Sequence, residues 1–239
     1  IKPFLRIESN EYIFISAFVK KEERLYLASC NDNRMLIFNM EDSNYEIKQI
    51  GNYLYGFGNM IYDGEYFWLT AYKKNSVVKW DEESGETKEV TFPIDVNQEK
   101  EGIWNLILDY KKELIICPAF SANIVFMDKD SGDYRFFNAK KKIMNGLMLE
   151  DINSWEGFMS AEFLDEETLL CIIWKNRSIN LWNLRTNHWK SYPCRLSVDE
   201  MIKAEKDMEL ALEPKSNIVC FRYIPEKADA DEVNKKIAE

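Results

Sequence analysis

The sequence predicts an all-β fold in which one four-stranded unit recurs along the chain. Three observations predict it: short apolar strands follow one another, polar turn residues separate them, and the strand order is the same in four successive segments. One copy reads "YGFGNMIYDGEYFWLTAYKKNSVVKWDEESGETKEV" at 55–90. Hydrophobic residues make up 46% of the chain and aromatic residues 14%, which is enough for a packed core.

An acidic or amide residue ends the third strand of each unit. The segments "NRMLIFN", "SVVKWD", "NIVFMD" and "RSINLWN" end at Asn39, Asp81, Asp128 and Asn183, which lie 42, 47 and 55 residues apart. The bulky residues immediately before them are Phe38, Trp80, Met127 and Trp182. Since all four are bulky, we expect Trp80 to pack against a neighbouring sheet.

The other strands complete the unit. The second strand is apolar throughout ("RLYLASC", "YFWLTAY", "ELIICPAF", "TLLCIIW"), so both of its faces are covered. The fourth strand alternates ("YEIKQI", "TKEVTF", "YRFFN", "HWKSYP"), so one face is exposed. A first strand precedes these, and in three units it follows a glycine. Those glycines are Gly56, Gly102 and Gly157. The units cover about 11–50, 51–93, 94–138 and 139–193.

Sheets that stack face to face, each with one solvent-exposed edge, are typical of blades arranged around a central axis. Over 11–193 the pattern resembles the β-propeller repeat proteins of the WD40-like or YVTN-like type. Trp80–Asp81 is similar to the WD dipeptide, and Trp182–Asn183 approximates it. The Gly-His pair of a true WD40 repeat is missing. The resemblance implies about five four-stranded blades, or part of a larger ring; a β-sandwich is the alternative.

The C-terminal segment breaks the repeat. Ser197 and Glu200 form a capping box, and an apolar stripe follows at helical spacing, so we expect one helix over about 197–212. The stripe consists of Met201, Ala204, Met208 and Leu212. The segment 216–225 predicts a strand that helps to close the ring. We therefore expect 1–239 to form a single domain.

Charge and cysteine content narrow the environment and the partners. The net charge of −10 disfavours nucleic acid and anionic membrane surfaces, so we expect neither as a partner. The five cysteines are an odd number and form no CxxC motif, which predicts free thiols and a cytoplasmic protein. They are Cys30, Cys117, Cys171, Cys194 and Cys220.

Aromatic residues occur at or near the start of each predicted inner strand. They are Tyr12, Tyr55, Trp104 and Trp155. Glu101 and Glu156 each precede the repeated glycine. Inner-strand starts surround one mouth of the central channel, so these six residues predict a binding face. The prediction is a non-enzymatic binding or scaffold module for a protein or peptide that is basic or amphipathic. Packing between blades is the alternative for the rings.

Carboxylates on or beside the inner strands supply a second hypothesis, a carbohydrate-active propeller that acts as a glycoside hydrolase or lectin. They are Asp63, Asp109, Glu150, Asp151, Glu156 and Glu162. Asp63–Gly64 is a typical hairpin turn, and Asp109 has a similar turn position. The single histidine, His188, lies on an outer strand. We therefore expect no catalytic residues, no bound metal and no cofactor.

Overall fold

A computed structural model describes residues 13–72, 74–93, 104–118, 123–139, 158–173, 178–193, 208–210 and 221–223. Contacts divide the chain into two compact units, Ile1–Tyr192 and Pro193–Glu239. The described residues contain strands and turns and no helix. It follows that none of them belongs to a helix with the length and apolarity needed to cross a membrane.

The described residues of the first unit form four four-stranded sheets, here called blades 1 to 4. Blade 1 consists of β1 (Ile15–Lys21), β2 (Arg24–Ser29), β3 (Arg34–Asn39) and β4 (Tyr45–Gln49). Blade 2 consists of β5 (Phe57–Tyr62), β6 (Phe67–Ala71), β7 (Ser76–Trp80) and β8 (Thr87–Thr91). Blade 3 consists of β9 (Trp104–Tyr110), β10 (Glu113–Pro118), β11 (Asn123–Asp128) and β12 (Tyr134–Asn138). Blade 4 consists of β13 (Phe158–Phe163), β14 (Thr168–Ile173), β15 (Ser178–Asn183) and β16 (His188–Pro193).

Each blade is an antiparallel meander in which consecutive strands pair. This is the strand order that the sequence predicts, and every blade lies inside its predicted unit. The second strand of blade 2 is buried along its whole length, while the fourth strand of blade 1 is mostly exposed. These burial patterns agree with the apolar and alternating patterns of the two strands.

The first strands of consecutive blades contact one another, β1 with β5, β5 with β9 and β9 with β13. Their side chains meet start to start and end to end, so these strands run in the same direction. At their starts, the Ser16 hydroxyl donates to the Phe57 carbonyl, and the Thr70 hydroxyl donates to the Trp104 carbonyl. At their ends, Lys21 lies over the Tyr62 ring, and Tyr110 stacks on Phe163. We call the edge of the blades where β1, β5, β9 and β13 begin the start face, and the opposite edge the end face.

Three apolar cores hold the blades together, one at each interface between consecutive blades. The bulky residues immediately before the four turn residues are buried, with exposed fractions of 2% or less. Trp80 packs against blade 1, where its ring meets Tyr26 edge-on at 6.5 Å between ring centroids. The predicted packing of Trp80 against a neighbouring sheet is confirmed.

The turn after each third strand has one repeated design. The side-chain oxygen of the turn residue accepts backbone N–H groups two or three residues further on; Asp81 accepts from Glu83 and Ser84. The turn then reaches a residue with positive φ just before the fourth strand. These residues are Ser43, Gly85, Gly132 and Asn187. The chain thus makes its turns with few glycines, because Ser and Asn also occupy this conformation.

The second unit contains two described strands, β17 (Met208–Leu210) and β18 (Phe221–Tyr223), which pair antiparallel. The predicted helix over about 197–212 is therefore wrong at residues 208–210, and the remainder of that range lies outside the described residues. Pairing with β18 satisfies the backbone groups of Met208–Leu210, so local helical periodicity does not decide this segment. β18 lies inside the predicted strand 216–225. The single domain over 1–239 stays a prediction.

Candidate partner-binding site

Among the four predicted aromatic residues, Tyr55 lies at the start face and its contacts are described. It lies two residues before β5, and its ring packs edge-on against Phe57 at 6.3 Å between centroids. The phenol donates a hydrogen bond of 2.8 Å to Glu89 Oε1. Burial, followed by that hydrogen bond, raises the pKa of Tyr55 above its ordinary value.

Lys74 completes a small charged cluster with Tyr55. Its ammonium forms an ion pair of 2.6 Å with Glu89 and lies 4.9 Å from the centre of the Tyr55 ring. Burial opposes ionisation of Glu89, but the hydrogen bonds from its neighbours, Lys74 among them, outweigh burial and lower its pKa. Glu89 is therefore an anchored anion that orients Tyr55 and Lys74.

Exposed apolar side chains adjoin this cluster. Leu54 is fully exposed, and Phe14, immediately before β1, is 61% exposed. Cys30 connects the two segments, because its N–H donates to the Phe14 carbonyl and its backbone lies against Gly56. A Cβ on Gly56 would come within 2.2 Å of the Cys30 carbonyl carbon, so only glycine fits there. Phe14 and Leu54 thus lie on the two segments of the start face that Cys30 connects.

Trp104 is a core residue. It is 1% exposed and packs in the core between blades 2 and 3, edge-on to Phe92. Its indole N–H finds no hydrogen-bond partner among the described residues. A ring with almost no exposed surface cannot contact a partner. Trp104 therefore packs between blades, which was the alternative to a binding role. Tyr12, Glu101, Trp155 and Glu156 lie outside the described residues.

Comparison with known proteins clarifies the fold. No protein-family model matches the chain, and no curated protein matches its sequence. Among solved structures, virginiamycin B lyase from Staphylococcus aureus superposes with a TM-score of 0.59 at 12% identity, over 80% of this chain and 59% of that one. A streptogramin B lyase gives a TM-score of 0.58 at 12% identity, over 78% and 56%. The extracellular domain of BT4673 from B. thetaiotaomicron gives 0.56 at 14%, over 79% and 23%.

The chain is a β-propeller. Its four blades and these neighbours agree on that architecture, and at such low identity the likeness shows the fold alone. The chain spans less than two thirds of the length of the lyases.

Three of the carboxylates proposed for catalysis, Asp63, Asp109 and Glu162, are described, and they are ion-paired or exposed. Asp63 and Asp109 both contact the ammonium of Lys129, at 3.7 and 2.9 Å, on the end face. Asp63 also accepts the backbone N–H groups of Glu65 and Tyr66, as expected for a turn residue. Burial works against its ionisation, but these hydrogen bonds prevail and lower its pKa. A general acid needs the opposite shift.

The other described residues that were considered for catalysis are exposed. Glu162 is exposed on β13, and His188 is exposed at the start of the outer strand β16. Among the described residues no group of three His, Cys, Asp or Glu side chains could hold a metal ion. Since Glu150, Asp151 and Glu156 lie outside the described residues, the carbohydrate-active alternative stays a prediction.

The predicted binding face does not include Phe14 and Leu54, the most exposed apolar residues of the start face among those described. A signal for Leu54 exists in the segment "NYLYG" at 52–56. Tyr53 and Tyr55 both pack on the core between blades 1 and 2. A residue between two side chains that pack on the core is a candidate to point outward. Leu54 could have been identified as exposed on this ground.

Proposed function

We propose that the chain is a non-enzymatic β-propeller of the WD40-like or YVTN-like type that binds a protein or peptide partner at its start face. The observation that carries this proposal is the exposure of Phe14 and Leu54, which lie on two segments that both contact the Cys30 backbone. Exposed apolar side chains grouped at one edge of a monomer are typical of interaction sites. Their burial by a partner supplies the driving force.

The charged groups of the same face indicate what kind of partner fits. Glu89 with Lys74 lies beside Tyr55, and Asp32 with Arg34 follows Cys30. The chain as a whole carries a net charge of −10. A partner segment with an apolar stripe and flanking Lys or Arg residues matches both features, because the field attracts its cations while Phe14 and Leu54 bind its stripe.

The predicted residues Tyr12, Glu101, Trp155 and Glu156 belong to this proposal through their repeat positions at the inner-strand starts. Trp104 no longer does, because it is buried. A cytoplasmic location remains part of the proposal. It is supported by Cys30, Cys117 and Cys171, which are free thiols in the structure.

Site-specific photo-crosslinking in extract of the source organism tests the docking face. A photoreactive residue at position 54 should crosslink to a discrete partner, whereas the same residue at position 65 should not. Glu65 is also exposed but lies in the turn after β5, on the end face. Crosslinking at position 65 alone, or equal yields at both positions, would contradict docking at the start face.

The double variant Phe14→Asp with Leu54→Asp tests the energetic contribution of the patch. We expect the partner identified by crosslinking to lose at least about tenfold in affinity, since two apolar anchors are replaced by charges. The matched control is Phe136→Asp on the outer strand β12, where the ring is 41% exposed. Unchanged affinity in the double variant, with a circular dichroism spectrum like that of the unmodified chain, would rule the patch out.

A further inference from the structure

A pocket of about 220 Å³ opens at the end face, where blades 2 and 3 meet. Tyr66 and Trp68 line it from blade 2. Its basic lining residues are Lys79, Lys111, Lys112 and Lys129. A concentration of lysines is unexpected on a chain whose net charge is −10. The pocket lies opposite the start face and is independent of the proposed partner site.

The four lysines differ in how they are neutralised. Lys129 is neutralised by Asp63 and Asp109. Within the described part of the chain, Lys79, Lys111 and Lys112 form no ion pair. Three carboxylates line the pocket beside the four lysines, those of Asp63, Glu65 and Asp130. The lining residues therefore carry one more positive than negative charge.

The repeat provides an internal control for Lys79. This residue lies two positions before the turn residue that follows the third strand, where the other blades carry Ile37, Phe126 and Leu181. Ile37 and Phe126 pack in the cores between blades. The blade architecture therefore favours an apolar side chain at this position. The repeat itself therefore does not require a lysine at position 79.

Lys111 and Lys112 are an equally clear departure from the repeat. They form the two-residue turn between β9 and β10, and the matching turn of blade 1 is Glu22–Glu23. The first residue of both turns has positive φ, 53° at Glu22 and 57° at Lys111. Since the same backbone is built with glutamates, turn geometry does not require lysines. The charge of this turn is free to serve another purpose.

Aromatic rings hold Lys79 in place. Its ammonium lies 3.4 Å from the centre of the Tyr66 ring and 5.2 Å from that of Trp68. The residue directly opposite on β8 is Lys88, and like charges in that arrangement disfavour strand pairing. The rings thus keep an ammonium beside the pocket although Lys88 repels it, and a bound anion would offset that repulsion.

We propose that this pocket binds a compact polyanion, with the ammonium groups of Lys79, Lys111 and Lys112 donating hydrogen bonds to its phosphate or carboxylate oxygens. Three ammonium groups that pair with no described carboxylate match a ligand that carries two or more negative charges. The volume suits a group the size of a diphosphate or a tricarboxylate. The acidic surface elsewhere repels such ligands, so binding depends on these lysines and weakens with added salt.

Isothermal titration calorimetry with inorganic pyrophosphate and, separately, with citrate tests the proposal on the full chain. We expect saturable binding of at least one probe at low ionic strength, weakened by added sodium chloride. Binding of pyrophosphate alone would identify the ligand as a phosphate, and binding of citrate alone would identify it as a carboxylate. Competitive binding of both would show that the pocket accepts either class of anion. Absence of binding by both probes would overturn the proposal.

Variants that copy the chain's own repeat locate the site. Lys111→Glu with Lys112→Glu reproduces the turn of blade 1, and Lys79→Ile reproduces the third strand of blade 1, so both should fold. Each should weaken binding by about tenfold or more. The control is Lys20→Glu with Lys190→Glu, two exposed lysines on blades 1 and 4 whose replacement changes the net charge as much as the turn variant does. Equal losses in control and pocket variants would show a general charge effect and refute a specific site.

Discussion

Glu82 and Lys129 occupy the same position of the repeat on neighbouring blades and carry opposite charges. Each follows the turn residue after a third strand, and each reaches back to the preceding blade. Glu82 forms an ion pair of 2.8 Å with Lys21, and Lys129 lies 3.7 Å from Asp63. The matching residue of blade 4, Leu184, packs on the apolar core shared with blade 3. The residue at this position is therefore acidic, basic or apolar according to the interface that it joins. A wrong pairing of blades would bring like charges together or bury a charge against apolar groups.

Removing the carboxylate of Glu82 should destabilise the fold. Its side chain is 10% exposed and binds Lys21 and the Tyr26 hydroxyl. We expect Glu82→Gln to lower the free energy of unfolding by about 1–3 kcal/mol, because both partners lose a charged acceptor. Urea denaturation measures this, with Glu83→Gln at the exposed neighbouring position as the control. Equal stability of the two variants would show that the ion pair contributes nothing.

The same residue predicts a pH dependence. Burial opposes ionisation of Glu82, yet hydrogen bonds from Lys21 and Tyr26 bring its pKa below the ordinary 4.5. A carboxylate whose pKa is lower in the folded state than in the unfolded state stabilises the fold. This stabilisation is complete at pH values above the unfolded-state pKa and is lost as the pH falls through the folded-state pKa. Between about pH 6 and about pH 3 the unfolding free energy should fall less steeply in Glu82→Gln than in the unmodified chain. Parallel curves would contradict the prediction.

Trp80 should be among the most costly residues to truncate. It is 2% exposed and its ring lies 5.1 Å from that of Phe67 between centroids. Trp80→Ala leaves a cavity between blades 1 and 2 and should cost about 3–5 kcal/mol. Phe136→Ala removes a ring that is 41% exposed and should change stability by less than about 1 kcal/mol. Thermal unfolding compares the two, and an unchanged melting temperature for Trp80→Ala would exclude its role in the core.

Two glycines should respond to the same substitution for different reasons. A Cβ at Gly85 meets nothing within 4 Å, so Gly85→Ala costs only the strain of its φ of 75°, about 1 kcal/mol. A Cβ at Gly56 collides with the Cys30 backbone, so Gly56→Ala should cost about 3 kcal/mol or more. Denaturant titration gives both values, and the reverse order would mean that the close approach at Cys30 is absent in solution.

Cysteine labelling separates exposure from redox state. Burial raises the pKa of Cys171 to about 12 and that of Cys117 well above its ordinary value, whereas Cys30 is partly exposed. Iodoacetamide should modify Cys30 in the folded protein and leave Cys117 and Cys171 unmodified. After denaturation without reductant all five cysteines should react, as read by intact mass. A protected pair would reveal a disulfide.

Strand order and turn positions were predictable from the sequence because they are local. Alternation along a strand and an Asp or Asn at its end act over a few residues, so the four units and the burial of Trp80 followed directly. At Met208 local periodicity misled, because a helical spacing of apolar residues does not reveal a strand partner such as Tyr223.

The candidate site needed the tertiary structure because exposure depends on what the next blade covers. Tyr55 and Trp104 have similar positions at strand starts, yet Trp104 is enclosed by Phe92 and the core between blades 2 and 3, while Tyr55 bonds to Glu89 on the start face. The sequence by itself determined which residues form the blades. Only the packing of one blade on another decided that Phe14 and Leu54 are exposed, and that lysines from the distant positions 79 and 111 share one pocket, since both depend on contacts between residues far apart in the chain.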